Sequence, residues 1–416
     1  MTGRDALERN LRLYAWHQFT ARTMFWGPIF FFYFSERFAV EQVLQLASIY
    51  YASVVLLEIP SGYFSDRISR VATLRISNAA MALSYVLFVL GGDRFAIFVA
   101  AEMTLALGYA FRSGTDTSFH FDSLSALGRA DDFGEREAWI QRNAYLAVAG
   151  SAVVGGLVSL VDLRLAYVIQ VVFTLAALAI ACRLHEPPRH EQGYAEASFL
   201  KQLQACATYA TQPYLAWVFA YMILMTTTEH IPWQFAQPYI AAVFAEPIQN
   251  VDRSPLITGG LHALIAFVGA MAAGWSIRIR NRLGVGGSLL TVTALQSALI
   301  VTMAIWVHPL IAVLLIARSV QPAVSSVVVA AAIVPRVPQA QRATYQSLHS
   351  FAGRLGFSLV LYWLSQLGDP GAVGDAATIG RMLSASAWLT LAGGAALLLT
   401  SRAVREPQAK SESRTG

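Results

Sequence analysis

Eight ionisable side chains stand where the sequence is otherwise apolar: Arg22, Arg112, Arg318 and Arg354, with Glu58, Glu102, Asp116 and Glu229. An ionised group at bilayer depth costs at least ~2–3 kcal/mol unless it is paired or wetted, so each marks a partner or a cavity. Desolvation favours the protonated form of a carboxyl, and a neighbouring guanidinium favours the charged form. Glu58, Asp116 and Glu229 are therefore the candidate proton carriers. Arg112 and Asp116 are four residues apart and can pair on one helix, which makes Asp116 the poorer carrier and Glu229 the better. Arg22, Glu58, Arg112 and Asp116 fall at similar depth, roughly 6–12 Å inward at 1.5 Å per residue, and an ion network is expected there. Trp26, four residues beyond Arg22, is expected on the same helical face toward a cavity.

The C-terminal half carries two polar stripes. Arg318, Gln321 and Ser325 form one; Ser347, Ser350, Arg354, Ser358, Tyr362 and Ser365 form the other. A polar stripe on a spanning helix faces water or protein, and small hydroxyl residues also serve helix packing. A guanidinium can grip a carboxylate or phosphate through two parallel bonds. Arg318 and Arg354 therefore suit an anionic solute, unless Glu229 and Glu102 reach across and neutralise them; both readings stay open. The candidate substrate cavity comprises Arg22, Trp26, Glu102, Arg112, Arg318, Gln321 and Arg354. His230 and His262 have the side chain that titrates near neutrality, and each reads first as a hydrogen-bonded packing residue.

The elements that must hold these groups are hydrophobic throughout. Of the 416 residues 56% are hydrophobic and only 13% charged, with a mean hydropathy of +0.50. Soluble domains carry about 25% charged residues, so most of this surface faces lipid. Apolar blocks of the length that crosses about 30 Å of hydrocarbon fall at 15–35, 42–64, 72–90, 95–119, 138–160, 164–183, 213–233, 255–275, 285–306, 309–332, 342–365 and 380–401. Twelve transmembrane helices are expected. The first block carries Arg22 and is not followed by a small-residue cleavage site, so it does not read as a cleavable signal. Cys182 and Cys206 are the only cysteines, too few for a disulfide framework or a metal cluster.

Of the 30 Lys and Arg residues, 21 fall in one set of alternate loops, five in the other and four inside the blocks. Positive short loops stay in the cytoplasm, so both termini are expected there. The asymmetry also accounts for the basic balance without a nucleic-acid partner. The polar stretch 184–212, with Pro187 and Pro188 and a segment from Ser198 to Thr208 suited to the membrane surface, divides a six-span bundle at 1–183 from another at 213–401. Residues 402–416 read as a polar disordered tail. The halves echo one another: Gly62-x-x-x-Asp66 follows the second block and Gly274-x-x-x-Arg278 the eighth.

The loop after the second block reads Gly62-Tyr63-Phe64-Ser65-Asp66-Arg67-Ile68-Ser69-Arg70. Gly62 permits close helix approach, and Asp66 can accept bonds from arginines or from a helix N-terminus. This loop resembles the signature G-x-x-x-D-R-x-G-R of the major facilitator superfamily, with Ser69 in place of the second glycine. Glu58-Ile59-Pro60-Ser61-Gly62 is similar to the E-x-P-x-G run of many bacterial members. The resemblance implies an all-α membrane fold of two pseudo-symmetric six-helix bundles. It also implies a conformational switch in which Asp66, Arg67 and Arg70 join Asp122 to lock the outward-facing state. Arg112-Ser113-Gly114 matches the family's R-x-x-x-G segment only loosely. Gly150-Ser151 and Gly155-Gly156 match its antiporter signature only in part, since the proline is missing and the spacing is one residue long.

By this reading the chain is a secondary transporter, a monomer in a bacterial inner membrane. The expected cargo is a small organic solute, anionic under the first of the two readings of Arg318 and Arg354, moved by alternating access with protons as the coupling ion. No nucleotide loop of the G-x-x-x-x-G-K-[ST] type occurs, so energy comes from a gradient or from exchange. A transporter-like sensor is the alternative. A membrane-embedded enzyme is the weaker rival, because the eight histidines are scattered and no nucleophile–base or metal set is clustered. No cofactor is expected.

Overall fold

The computed structural model describes residues 3–38, 40–188, 199–209, 211–244, 255–306, 308–365 and 376–404. All regular structure among them is helical. The first stretch gives α1 (Gly3–Ala21), α2 (Phe30–Ser35), α3 (Val40–Arg67), α4 (Arg70–Leu90), α5 (Phe95–Arg112), α6 (Thr115–Ala126), α7 (Phe133–Val158) and α8 (Leu163–Ala181). After α9 (Phe199–Tyr209) follow α10 (Pro213–Phe244), α11 (Pro255–Ile305), α12 (Pro309–Leu314), α13 (Val320–Ile333), α14 (Arg342–Ser365) and α15 (Ala376–Thr400).

Three of the expected blocks are broken. Gly27-Pro28 interrupts the first. Proline lacks an N–H and disfavours helical backbone before it, so the chain leaves the helix after Ala21 and resumes it at Phe30. Unwound backbone at membrane depth survives only when protein satisfies it. Here Ser151 Oγ accepts from Met24 N (2.8 Å) and Gln170 Oε1 from Phe25 N (3.1 Å). Trp26 therefore does not share a helical face with Arg22. The fourth block breaks between α5 and α6 at Gly114, whose φ of +70° costs glycine little and other residues much. The tenth opens with a short helix and a 3-10 turn, Leu315–Ser319, before α13. A further bend at Gly284 (φ 69°) divides α11.

Helices α1 to α8 pack among themselves, chiefly α4 on α5 and α8 and α3 on α5. Helices α10 to α15 do likewise, chiefly α11 on α13 and α15 and α10 on α14. Two seams join the halves, α3 against α14 and α7 against α11. Both echoed glycines lie on these seams. A Cβ on Gly62 would meet Ser347 Oγ at 2.6 Å, and one on Gly274 would meet Arg142 Cδ at 3.1 Å.

Leu56, Val161, Trp388 and Leu399 are each at least 74% exposed, a surface that water would not tolerate. Six helical stretches among the described residues are long and apolar enough to cross a membrane. One of them, Thr258–Ile305, has 48 residues and spans ~70 Å, enough for two crossings about Gly284. Helices α3, α7 and α14 have the length but carry polar faces. The chain is a multi-pass membrane protein. At its C-terminal end, Ser401–Val404 is a 3-10 turn whose Val404 packs in the core beside Gly286. The ordered chain thus runs past the expected boundary at 402, and residues 405–416 lie outside the described residues.

Candidate functional site

The loop motif and the start of α14 build an ion lattice across the two halves. Asp66 ends α3 with its side chain fully buried. It accepts bonds from Ala343 N (3.0 Å), Thr344 N (2.8 Å) and Thr344 Oγ1 (2.6 Å). A carboxylate from one half thus caps the N-terminus of a helix in the other, where free N–H groups and the helix dipole favour negative charge. Arg70 Nη1 donates to Asp66 at 2.6 Å and Arg70 Nε to Asp122 at 3.1 Å, while Arg70 Nη2 reaches Gln339 O at 2.8 Å. Asp122 also accepts from Arg342 of the second half, whose guanidinium lies over Phe121, 4.5 Å from the ring centre. Alternating charges leave none of these buried groups uncompensated, the condition under which burial of charge is tolerable. Arg67 joins through an amide rather than a carboxylate: its Nε donates to Gln202 Oε1 at 2.7 Å.

Several lattice members were not singled out from the sequence. Gln339 comes from the connection between α13 and α14, and Arg342 and Thr344 from the first turn of α14. Glu186 accepts from Ser69 Oγ (2.5 Å), Arg70 N (2.9 Å) and Val71 N (2.9 Å), capping α4. Gln202, on α9, donates to Ala340 O and Thr344 Oγ1. The visible signal for α9 was its amphipathic pattern; nothing in that pattern says it tucks beneath a seam. Beside Gln202, the Cys206 thiol is pushed up to about 12 by burial, with Asp66 adding to the shift.

The buried charges pair differently from the sequence expectation. With the helix broken at Gly114, Arg112 and Asp116 no longer share a face. Asp116 instead pairs with Arg22 Nη2 at 3.2 Å and accepts from Gln18 Nε2 at 3.2 Å. Arg112 donates to Ala21 O, the last carbonyl of α1, at 2.9 Å. Glu58 does not join this cluster. It faces the other half, Oε2 lying 3.9 Å from Arg354 Nε. The Glu58 side chain is 0% exposed and neither oxygen has a hydrogen-bond partner. The counter-charge expected from Glu102 does not arrive: Glu102 is buried near Tyr50, Tyr51 and Tyr167. Glu229 lies within electrostatic reach of both Arg318 and Arg354.

Gln321 is fully buried and bonded to Thr228, donating from Nε2 to Oγ1 at 3.0 Å, so it is a packing residue rather than a cavity wall. Trp26 donates to Tyr85 Oη at 3.0 Å and stacks on Tyr167. His230 and His262 each engage a backbone carbonyl four residues back. Among the described residues no cluster of metal-binding side chains occurs. The side chains of Tyr362 and Ser365 lie outside the described residues.

Neither a protein-family model nor a curated sequence matches this chain. Solved structures do. The Escherichia coli fucose:proton symporter superposes at a TM-score of 0.69, with 15% identity over 94% of this chain and 99% of its own. The nucleoside transporter NupG gives 0.66, with 13% identity over 95% and 99%. A bacterial homologue of the iron transporter ferroportin, in an outward-facing state, gives 0.68, with 14% identity over 97% and 100%. The chain has the fold of the major facilitator transporters.

Proposed function

We propose that this chain is a secondary transporter, moving a small organic solute across a bacterial inner membrane by alternating access. The ion lattice carries the reading. Asp66 and Asp122 hold the second half of the chain to the first through directional bonds at one end, contacts that one access state keeps and the other gives up. In this reading residues 1–183 and 213–401 form two bundles of six spans. Both termini are cytoplasmic, and the lattice closes the cytoplasmic side of an outward-facing monomer. Among the similar structures, the fucose transporter and the ferroportin homologue are each seen facing outward. No catalytic role is assigned to any residue.

We assign proton coupling to Glu58 before Glu229. A buried carboxyl without hydrogen bonds, whose counter-charge sits on the opposite half, changes its environment whenever the halves part. Because Arg354 faces Glu58 and Arg318 has Glu229 within reach, we read the cavity as charge-balanced rather than as a free anion receptor.

The test begins with a solute panel screened by thermal shift, since a ligand of the folded state raises its apparent stability. Uptake of the hit into liposomes should collapse with the proton gradient and lose its pH dependence in Glu58→Gln. Uptake indifferent to the gradient removes proton coupling. Coupling that persists in Glu58→Gln moves the assignment to Glu229. An Arg354→Lys variant should bind the solute within about threefold of the parent; a loss of about 1–3 kcal/mol, the range for charged hydrogen bonds, would restore the anion reading.

A further inference from the structure

We infer that Gln202, on the helix between the two halves, is a positioning residue of the gate, and that α9 travels with the second half. The inference rests on the alternating-access reading and adds to it a division of the connecting segment into two pieces with opposite allegiance.

The first piece, directly after α8, is bound mainly to the first half, with one bond to the second, Gln339 Nε2 donating to Pro188 O at 3.2 Å. Asn10 exchanges two bonds with the backbone of His185, at 2.7 and 2.9 Å. Arg75 Nη2 donates to Cys182 O at 3.2 Å, and Glu186 caps α4 through Ser69, Arg70 and Val71. The second piece, α9, is bound to the second half. Tyr209 Oη donates to Gln341 Oε1 at 2.5 Å, and the Tyr209 ring meets Tyr345 edge-on. Cys206 is buried in the same core as Val337, Tyr345 and Leu397.

Gln202 is where the second piece crosses the parting line. It is 1% exposed. Its amide nitrogen donates to Ala340 O (3.0 Å) and Thr344 Oγ1 (2.8 Å) of the second half and lies 3.4 Å from Asp66 Oδ2 of the first. Its oxygen accepts from Arg67 Nε at 2.7 Å. An amide suits this position because it offers donors to a carboxylate and an acceptor to a guanidinium at once. By fixing the Thr344 hydroxyl, it also aims that group at Asp66, which it reaches at 2.6 Å. When the halves part, the bonds to Ala340 and Thr344 are kept, and those to Arg67 and Asp66 are broken. Gln202 therefore stabilises the gated state selectively, which a residue serving the fold alone would not do.

Spin-label distances on the full chain in nanodiscs test this, in a Cys182→Ala background. Exposed Ile68 reports the first half, exposed Asn281 the second and exposed Gln204 the helix α9. Gln202→Ala should raise the ratio of long to short Ile68–Asn281 distances about tenfold, the loss of one charge-assisted bond. Gln202→Glu sets a second carboxylate beside Asp66 but keeps a charged partner for Arg67, so its ratio should lie below that of Gln202→Ala. The Gln204–Asn281 distance should stay single in both variants. A Gln202→Ala protein with a lowered thermal midpoint and an unmoved distribution would make Gln202 merely structural and overturn the inference. So would a Gln204 label that keeps its distance to Ile68 while its distance to Asn281 changes. Asp66→Asn separates the two levels. If it opens the gate and Gln202→Ala does not, only this inference falls; if neither variant ever lengthens Ile68–Asn281, alternating access falls with it.

Discussion

Replacing Asp66 by Asn removes one charge and changes no volume, and the geometry sets how much that should matter. Three bonds to Asp66 come from the opposite half, two backbone N–H groups and the Thr344 hydroxyl, at 3.0, 2.8 and 2.6 Å. Hydrogen bonds to a charged group contribute about 1.5–3 kcal/mol against about 0.5–1.5 for neutral ones. At roughly 1 kcal/mol per bond, losing the charge should thus cost ~3 kcal/mol over the three, with the dipole of α14 adding at most a few tenths. The Arg70 bond is made within one half and does not discriminate between states. A penalty of ~3 kcal/mol confined to the gated state moves its equilibrium on the order of 100-fold. Ser118 reports this directly. It is 0% exposed and lies one turn inside Asp122, with Gln346 of the second half donating to its hydroxyl at 3.2 Å. A Ser118→Cys reporter, with Cys182 replaced by Ala, should react with a charged maleimide in proportion to the open fraction. Asp66→Asn should accelerate that reaction on the order of 100-fold while the protein remains folded. An acceleration below about threefold would refute the argument that these bonds select one state.

The remaining predictions concern single contacts. Gly62→Ala would place a methyl 2.6 Å from Ser347 Oγ and 2.9 Å from Ala343 O; maleimide access at Ser118→Cys should rise as α14 is pushed off α3, and unchanged access would show that the seam yields elsewhere. Arg354→Ala leaves the fully buried Glu58 carboxyl without its ion partner. Discounted for the 28% exposure of Arg354, the loss should be about 1–2 kcal/mol, read as a lowered thermal midpoint that Glu58→Gln restores in the double variant. At pH 8 a thiol reagent should modify exposed Cys182 quickly and spare Cys206. The Cys206 thiol, raised to about 12 and buried, is protonated there and thiolate is the reactive form; mass spectrometry showing equal modification of both would contradict the packing of α9.

Much of the arrangement could be read from residue patterns because the dominant force is one-dimensional. Apolar block length reports bilayer thickness, and the nine residues from Gly62 to Arg70 carry a local spacing that the fold uses as it stands. What escaped the sequence was mostly non-local or conformational. Gly114 was visible, but reading it as one residue of a continuous helix kept Arg112 and Asp116 on one face, when a positive φ there turns Asp116 toward Arg22. Gly27-Pro28 likewise carried the break in the first block, and the aromatic run around it drew the reading toward a continuous span. Arg354 looked short of counter-charge because Glu58 lies almost 300 residues earlier, and sequence depth arithmetic assigns a residue a level but not a direction. Gln202 had no signal of its own: a glutamine on a short amphipathic helix is ordinary until the helix is found wedged between halves.

The seam between α7 and α11 bears on how fast the gate can work. Glycines bring the two helices close at several levels: Gly134 beside Ile277, Gly274 beside Arg142, Gly269 beside Tyr145, and Gly156 beside Pro255 and Gly259. Where Gly156 meets Gly259 neither side has a rotamer to reset or a knob to lift out of a hole, so the helices can slide there with little friction, as in a plain bearing. Under alternating access, resistance to motion would then reside in the bonds of the gate rather than in the joint that carries the load. Weakening the gate should shorten the waiting time before opening as well as shift the balance, and a single methyl placed in the bearing, as in Gly259→Ala, should slow both directions alike.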